Sequence, residues 1–501
     1  MLSAALFLLG VILSVVAIRY SIVASHKLGI VDQPGGHKAH DTVTPFVGGV
    51  GVLAATLCAV SIVAYFFPQF SVRVPAFLFG VLAMFITGFA DDVLQLGYKI
   101  RFMVQAAVGL VMVFWGGVVI ADLGDLGMGL VQLGHFGVAL TVIATIGAIN
   151  SLNMIDGIDG LSGSLSSVCL LLIAFVLFQA RDFAYFTMVI TIMGGVVGFL
   201  YFNLRYFKQR RARCFLGDNG SMQLGFIFAW LLADLSQELP AQRFVTPVTT
   251  LWLFAVPLID TLSVMLRRVW MKRSPFRPDR NHLHHLFLRA GFRVQDTVAV
   301  LALAQLMFGV IGLAGMYAGV AELDMLIAFV CAFGACFYVL LRPWRFVPLL
   351  RRIHRVLGFT SAHAVGVHVS GLAVEKMGAF AETLNTRIGP HYDFRFSVFR
   401  PEGGPARCYA VIELLCDEQD VSHREIRDVM AVIRREYRRD RNLKIRPFVE
   451  RSENNDRRVG IKARSGDRRL EDRRGAGKGR LVYRVLSAAG ESSILLQPSR
   501  V

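Results

Sequence analysis

The sequence predicts an all-α polytopic membrane protein with about eleven transmembrane helices, followed by a small α/β domain and a disordered basic tail. Hydrophobic residues make up 54% of the 501 residues, whereas charged residues make up only 18%, against about a quarter in soluble domains. A soluble core of that composition would lack polar surface to cover it. The apolar residues also fall into runs long enough to cross a bilayer. These observations exclude a chain of ordinary soluble domains.

The first apolar run opens the chain, and the first basic residue, Arg19, comes after it. A cleavable signal peptide carries its charge before the apolar stretch, so we predict that residues 1–18 form a retained span with a periplasmic N-terminus. Ten further runs are predicted to span the membrane: 46–67, 75–90, 102–120, 136–153, 164–180, 184–204, 220–234, 246–266, 296–318 and 324–341.

The distribution of basic residues predicts the orientation of these spans. With the N-terminus outside, eighteen Lys and Arg residues fall in the inside loops between the predicted spans, and three fall in the outside loops: Arg73, Arg181 and Arg243. Cytoplasmic loops carry the basic excess in membrane proteins. Topology therefore accounts for much of the net charge of +17, and no nucleic-acid partner is expected.

The composition changes beyond the predicted membrane domain, which covers residues 1–345. Residues 346–361 are predicted to be a basic juxtamembrane linker suited to an anionic leaflet. Residues 362–450 show strand and helix patterns in the order βαββαβ, which predicts a small cytoplasmic domain of the ferredoxin-like type. Residues 451–501 begin with an Arg-rich stretch that contains Asp-Arg-Arg three times, the composition of a disordered tail.

Acidic residues cluster at the predicted cytoplasmic ends of three spans. Five carboxylates fall there: Asp91, Asp92, Asp156, Asp159 and Asp218. An ionised group beside the apolar region is costly, and these acids have no basic neighbours in sequence. A divalent cation would compensate their charge, and all-oxygen ligands favour Mg²⁺, with Mn²⁺ as the alternative.

Three short strings carry these acids. The string Asn150–Gly160 interleaves two Asn and two Asp with apolar residues, and its glycines allow the backbone to approach a ligand closely. An ordinary turn needs a single Asp-Gly, so this string indicates a site. Asp218 opens a predicted helix between glycines, which suits phosphate and its metal, or simple N-capping. The pair Asp91-Asp92 fits a metal ligand and a base, or a polar helix end in water.

Histidine and arginine cluster in the most basic predicted loop. His282 and His285 are spaced to share a helical face, but no cysteine or second histidine cluster supplies the other ligands of a zinc site. With Arg280 and His284, they indicate pyrophosphate binding beside the acids. Two further phosphate contacts are predicted in the first loop, Lys38 and His40.

In these strings the chain resembles the polyprenyl-phosphate N-acetylhexosamine-1-phosphate transferase superfamily, and within it the WecA branch. The similar strings are Val31–Pro34 with Lys38–His40, Asp91–Asp92, Asn153–Gly160, Gly217–Ser221 and Ser274–His285. They occur in the family's order over about residues 1–345. The resemblance implies transfer of N-acetylglucosamine 1-phosphate from UDP-N-acetylglucosamine to undecaprenyl phosphate, with release of UMP. It also implies a bacterial inner membrane location with the active site facing the cytoplasm.

The resemblance implies roles for individual residues. Asp218 resembles the direct Mg²⁺ ligand and Asp91 the base that deprotonates the lipid phosphate, while Asp92 supports that base or the metal. The other implied catalytic residues are Asp156, Asp159 and His282, and the implied substrate-binding residues are Lys38, His40, Asn153, Arg280, His284 and His285. His37 stands where the family often has Arg, so the role of that position stays open.

The resemblance leaves several questions open. The donor could be another UDP-aminosugar: N-acetylgalactosamine, N-acetylfucosamine or N-acetylquinovosamine. Transfer could be a single in-line step or pass through an aspartyl intermediate. A homodimer, and a protein partner for residues 362–501, are further expectations beside the lipid bilayer and the two substrates. The region after about residue 356 has no counterpart in the usual short WecA-like enzymes.

Three competing functions were weighed. A transporter would place acids near mid-membrane in two related halves, whereas here they cluster at one predicted surface without such a repeat. A membrane anchor whose basic tail binds RNA or anionic lipid would leave the membrane motifs unexplained. A peptidoglycan-precursor transferase is the nearest enzyme alternative, but the string Pro278–His285 resembles the simple-aminosugar branch.

Overall fold

The computed structural model of the protein describes residues 2–28, 44–70, 73–206, 209, 211–237, 243–272, 274, 282–356, 366–373, 377–387, 394–401, 407–414, 423–437, 444–448 and 479–487. The chain divides into two compact units. The first comprises Met1–Ala290 and Val294–Leu350, and the second comprises Gly291–Arg293 and Arg351–Val501. The main division, at Leu350, falls close to the predicted end of the membrane domain at residue 345.

The first unit is a bundle of helices. These are α1 (Leu2–Leu28), α2 (Gly48–Phe66), α3 (Val74–Leu94), α4 (Tyr98–Phe114), α5 (Phe136–Ile155), α6 (Leu161–Gln179), α7 (Phe183–Asn203), α8 (Gly217–Ser236), α9 (Pro247–Leu253), α10 (Ala255–Trp270), α11 (Leu283–Ala290), α12 (Val294–Tyr317) and α13 (Glu322–Leu341). A short antiparallel hairpin, β1 (Asp122–Asp125) and β2 (Leu130–Gln132), connects α4 to α5. A last helix, α14 (Pro343–Val356), follows α13, so the predicted linker at 346–361 is helical as far as Val356.

Eight of the described helices are long and apolar enough to cross a membrane: α1, α2, α3, α5, α6, α7, α12 and α13. A ninth span is added if α9 and α10, which meet at a bend of 86°, are taken as one. Each of the eleven predicted runs coincides with a helix or with this bent pair, but α4, with 17 residues, and α8 are not among the candidate spans. The count of eleven and the periplasmic N-terminus therefore remain predictions.

Helix α8 is the most enclosed element, and nearly all of its residues are buried. It packs against α2, α3 and α5, so it is covered on several sides. Small residues allow the closest approach. A Cβ atom on Gly88 of α3 would lie only 2.3 Å from the carbonyl oxygen of Asp218 and 2.4 Å from the backbone nitrogen of Asn219. The end of α3 therefore lies directly against the start of α8.

The bend between α9 and α10 is stabilised by a side chain from α12. A break in an apolar bundle leaves backbone groups without helical partners. Gln305, which is fully buried, accepts a hydrogen bond from the N–H of Val256 at 2.9 Å and donates one to the carbonyl oxygen of Leu253 at 2.9 Å. One side chain thus satisfies both sides of the break.

The second unit contains an antiparallel sheet and two helices. Its elements are β3 (Gly366–Ala373), α15 (Met377–Arg387), β4 (Phe394–Pro401), β5 (Arg407–Leu414), α16 (His423–Glu436), β6 (Lys444–Phe448) and β7 (Gly479–Ser487). The strand order is β6-β3-β5-β4-β7, and every neighbouring pair is antiparallel. Apolar side chains are buried on the strands, at Val367, Val369 and Ile412, and on the helices, at Phe380 and Val429.

The first six elements of this unit follow the predicted order βαββαβ. Strand β7 differs from the prediction, because a disordered tail was expected over residues 451–501. Residues 479–487 instead pair with β4 at the edge of the sheet. The string Leu481-Val482-Tyr483 within an Arg-rich tail is typical of a strand, but the composition of the whole tail concealed it. Residues 451–478 and 488–501 lie outside the described residues.

Candidate active site

Four of the five predicted acids meet where α3 and α5 end and α8 begins. Asp91 and Asp92 lie in the last turn of α3, Asp156 follows the last residue of α5, and Asp218 lies in the first turn of α8. The carboxylates interact electrostatically across these helices, Asp92 with Asp156 and Asp218 with both acids of α3. Like charges at this distance destabilise one another unless cations or hydrogen-bond donors compensate them.

Arg101, in the first turn of α4, supplies part of that compensation. Its Nη1 lies 2.6 Å from Oδ2 of Asp91 and 3.6 Å from Oδ2 of Asp218. The Asp91 side chain is 7% exposed and that of Arg101 is 28% exposed, so the pair is partly shielded from water. In the sequence, Arg101 is distinguished only as a basic residue of an inside loop, and its nine-residue separation from Asp92 gives no sign of contact.

Asp92 is used to hold the start of α8. Its Oδ1 accepts a hydrogen bond from the backbone N–H of Asp218 at 3.0 Å. Its Oδ2 accepts from the backbone N–H and the side-chain amide of Asn219, at 3.2 and 2.6 Å. The first N–H groups of a helix have no partner within the helix, and a carboxylate there also interacts favourably with the helix dipole. Asp92 therefore positions Asp218, a contact that the sequence did not predict.

Asn153, in the last turn of α5, connects a third helix to this cluster. Its amide nitrogen donates to Oδ1 of Asp218 at 2.6 Å and to Oγ of Ser221 at 3.1 Å. The predicted grouping of Asn153 with the acids is thus seen in the structure. Asp218 lies between an amide donor on one side and the Arg101 guanidinium on the other.

Asp156 lies just beyond α5, and its carboxyl group is partly buried. Withdrawal from water and the charges of Asp92 and Asp159 raise its pKa from 3.8 to about 8. A carboxyl group with that pKa is largely protonated at neutral pH unless a cation is bound beside it. A positive ligand beside Asp156 would therefore be electrostatically favourable.

Asp159 belongs to a separate contact. Its Oδ2 lies 2.7 Å from Nε of Arg205 and accepts a hydrogen bond from the N–H of Ala212 at 3.2 Å. Both side chains are 8% exposed, and breaking such a buried pair leaves an uncompensated charge. The structure therefore gives Asp159 a role in holding the segment after α7 and not a free carboxylate in the cluster.

The three histidines of the predicted pyrophosphate motif lie together at the start of α11. The rings of His282 and His284 are parallel within 9°, with centroids 5.5 Å apart, and the His285 centroid lies 4.2 Å from that of His284. His284 is buried, and neither of its ring nitrogens has a hydrogen-bond partner among the described residues. Burial, together with the neighbouring histidines, lowers its pKa. A Cβ on Gly157 would lie 2.7 Å from its Nε2, so this glycine is needed where the two predicted motifs meet.

Asp260 of α10 was missed by sequence analysis because it lies alone within an apolar run. Its carboxylate is fully buried and contacts the first residues of the histidine motif. Three residues predicted to bind substrate, Lys38, His40 and Arg280, lie outside the described residues, as does His37.

The side chains of this cluster fit a hard divalent cation by their chemistry. Within the described residues, no three His, Cys, Asp or Glu side chains form a ready-made metal site. The carboxylates of Asp91 and Asp218 nevertheless share the guanidinium of Arg101, so positive charge is already required between them. Carboxylate and amide oxygens are suited to Mg²⁺. Asp91 and Asp218, which share this guanidinium, could each supply an oxygen, and Asp156 interacts with the cluster through Asp92.

The sequence was compared with known proteins. Residues 74–236 match the profile of glycosyl transferase family 4, a range that contains all five predicted acids. The undecaprenyl-phosphate alpha-N-acetylglucosaminyl 1-phosphate transferases of Escherichia coli K12 and Shigella flexneri are each 35% identical over 333 residues. This match covers 66% of the chain and 89% of each relative. The enzyme of the same name from Pasteurella multocida is 34% identical over 335 residues, which cover 66% of the chain and 91% of that relative.

These matches extend over almost the whole of each relative, and the family profile covers the three helices that carry the acidic cluster. The chain belongs to glycosyl transferase family 4.

Proposed function

We propose that the protein transfers N-acetylglucosamine 1-phosphate from UDP-N-acetylglucosamine to undecaprenyl phosphate and releases UMP. The named relatives support this substrate pair. The observation that carries the proposal is the cluster in which Asp91, Arg101 and Asp218 meet. In the reaction, an oxygen of the lipid phosphate bonds to the sugar-bearing phosphorus, and the phosphoanhydride bond to UMP breaks.

The residues of the cluster divide the work of bringing two polyanions together. Asp91 is the candidate base for the lipid phosphate. Arg101 would contact phosphate oxygens through the part of its guanidinium that is open to water. Asp92 and Asn153 hold Asp218 from two sides, and preorganised groups of this kind lower the cost of reorganisation during reaction.

We propose Mg²⁺ as the cofactor, held by Asp218 with Asp91 and Asp156, and Mn²⁺ as its substitute. When bound, it would neutralise phosphate charge in the transition state. The protein itself orients Asp218 and, in the absence of substrate, offsets the repulsion between Asp91 and Asp218 through Arg101. The histidines at the start of α11, with Arg280, are proposed to contact the pyrophosphate of the donor.

The test is a transfer assay in purified membranes with undecaprenyl phosphate and radiolabelled UDP-N-acetylglucosamine, with Mg²⁺ or EDTA. We expect label to enter the lipid phase only with Mg²⁺, and Asp218→Asn to lower the rate by at least about 100-fold. Asp234→Asn is the matched control, because Asp234 lies at the other end of α8, where Arg73 Nη1 contacts it at 2.9 Å. Equal rates for Asp218→Asn and the wild type would refute the proposal.

The donor and the orientation are tested separately. Transfer from UDP-N-acetylgalactosamine or a 6-deoxy aminosugar, with none from UDP-N-acetylglucosamine, would change the donor but keep the reaction class. We propose an inner membrane location with the cluster facing the cytoplasm, supported by the distribution of Lys and Arg. Labelling of Cys substituted at Lys99, beside Arg101, by a membrane-impermeant reagent in intact and opened cells would distinguish the two faces.

We propose that the second unit docks a protein partner and plays no part in transfer. Its sheet and helices follow α14, and the alignments with the named relatives leave a third of the chain uncovered. Crosslinking and pull-down compare the full chain with a chain ending at Val356. The truncated chain should lose specific partners. Identical partners for both would contradict this role.

A further inference from the structure

Asp260 is not among the residues assigned to transfer, yet its surroundings are unusual for an acidic residue. It lies on α10, two turns beyond the bend at Phe254, and its side chain is 0% exposed. A carboxylate without water is costly unless its oxygens receive hydrogen bonds. Each oxygen of Asp260 has one hydrogen-bond partner in the histidine motif. These two hydrogen bonds indicate the role of this acid.

One oxygen of Asp260 orients the ring of His282. Oδ2 lies 2.7 Å from Nδ1 of that histidine, whose side chain is 7% exposed. An acceptor-only carboxylate requires a proton on Nδ1. The other ring nitrogen, Nε2, is therefore the one left to contact a ligand, since the tautomer of a histidine is set by the bond that its second nitrogen makes.

The other oxygen holds the start of the helix that carries the histidines. Oδ1 accepts a hydrogen bond at 2.7 Å from the backbone N–H of Leu283, the first residue of α11. The ring of His282 is also parallel to that of His284. One hydrogen bond and a parallel neighbouring ring therefore restrict the His282 ring, and the second hydrogen bond holds the backbone next to it.

We propose that Asp260 is a positioning residue, which fixes His282 with Nδ1 protonated and Nε2 directed to the phosphates of the sugar nucleotide. The identity of the ligand in this inference rests on the proposed function, whereas the contact between Asp260 and His282 is seen in the structure. The bend stabilised by Gln305 gives α10 the direction in which Asp260 can reach this contact.

The substitution Asp260→Asn separates the two oxygens. The two donors meet different oxygens of Asp260, and an amide replaces one of these oxygens with an NH₂ donor, so one of the two hydrogen bonds is lost. If the amide nitrogen faces His282, it donates to Nδ1 and reverses the tautomer. We expect kcat/KM for the UDP-sugar to fall on the order of 10- to 100-fold, as when a residue that orients a functional histidine is lost.

A double-mutant cycle distinguishes positioning from a purely structural role. Asp260→Asn, His282→Gln and the double variant are compared in the transfer assay, with Asp234→Asn as a buried-carboxylate control. We expect the loss in the double variant to be much smaller than the product of the two single losses, because Asp260 acts mainly through that ring. A double variant whose loss equals the product of the single losses would overturn the proposal.

A second measurement does not depend on transfer. In protein labelled with ¹⁵N-histidine, the His282 signals, identified by their loss in His282→Gln, should report a proton on Nδ1 in the wild type and not in Asp260→Asn. If Asp260→Asn fails to fold, Asp260→Glu is used in its place. Because it keeps the carboxylate, it should show the same His282 tautomer as the wild type. An unchanged tautomer in Asp260→Asn overturns the positioning role even if transfer is lost. A wild type with the expected tautomer but no transfer from any donor would refute only the proposed function.

Discussion

Arg101 is the residue whose charge decides whether Asp91 and Asp218 can lie close together without a metal. We predict that Arg101→Gln lowers stability in Mg²⁺-free buffer by about 1–2 kcal/mol, less than for a fully buried pair because the guanidinium is partly exposed. Added MgCl₂ should raise the melting temperature more in the variant than in the wild type, because a cation would replace the lost charge. Tryptophan fluorescence during heating in detergent measures this.

Lys99→Gln is the matched control for that substitution, since Lys99 is exposed two residues earlier on α4. Its response to MgCl₂ should equal that of the wild type. If Arg101→Gln also responds like the wild type, the cation does not bind between Asp91 and Asp218.

Asp156 should make the stability of the protein depend on pH. Its pKa of about 8 in the folded protein, against 3.8 as the ordinary value, means that the folded state holds a proton between these pH values that the unfolded state lacks. The contribution of Asp156 to the free energy of unfolding is therefore largest near pH 4 and is lost as the pH rises through 8. We predict that Asp156→Asn, which cannot ionise, narrows the difference in melting temperature between pH 5.5 and pH 8.5.

Asp324→Asn serves as the comparison, because Asp324 is exposed at the start of α13. It should leave the difference between the two pH values unchanged. A wild-type protein that is equally stable at both pH values in EDTA would show that the pKa of Asp156 is not raised.

At the scale of elements, the site depends on the contact between α3 and α8. Gly88→Ala would place a methyl group within 2.4 Å of the first turn of α8, so the helices must separate. We expect at least about a 10-fold loss of transfer, since small displacements of positioning groups cost rate steeply. Gly97→Ala, where a Cβ meets nothing within 4 Å, should keep the wild-type rate. Equal rates for both variants would contradict the importance of this contact.

The sequence predicts the elements better than it predicts their breaks. Each long helix follows from an apolar run, because a run of that length has no other stable form in a bilayer. The bend at Phe254 interrupts a single predicted run, 246–266. Pro257, in the first turn of α10, marks that bend, because it cannot donate to the carbonyl oxygen of Leu253 four residues earlier. The side chain that satisfies this carbonyl instead, Gln305, is some fifty residues away and is not predictable from the run.

At the scale of the whole molecule, the named relatives align with two thirds of the chain and with 89% of their own length. We therefore predict that a chain ending at Val356 keeps transfer within about twofold of the full-length rate per folded molecule. UMP release per folded molecule, measured on detergent-purified protein, tests this. A loss beyond 10-fold in folded protein would show that the second unit contributes to the reaction.

The sequence predicts the acids of the candidate site but not the residues that contact them. Asp91, Asp156 and Asp218 stand out because carboxylates at the ends of apolar runs are rare. Arg101, Arg205 and Asp260 could not be recognised, because what distinguishes them is a contact formed only when separate helices pack. The second unit shows the same limit: local patterns predict six elements, but the pairing of β7 with β4 is long-range.

The hydrogen bonds of Asp92 bear on how this family can be classified by sequence. Its carboxylate supports the first turn of α8, a requirement of folding that persists whether or not the protein turns over substrate. A descendant that had lost its activity would still be under selection to keep an acid at position 92. The identity of that residue is therefore a poor diagnostic of a pseudoenzyme, whereas loss of the Arg101–Asp91 pair would be an informative one.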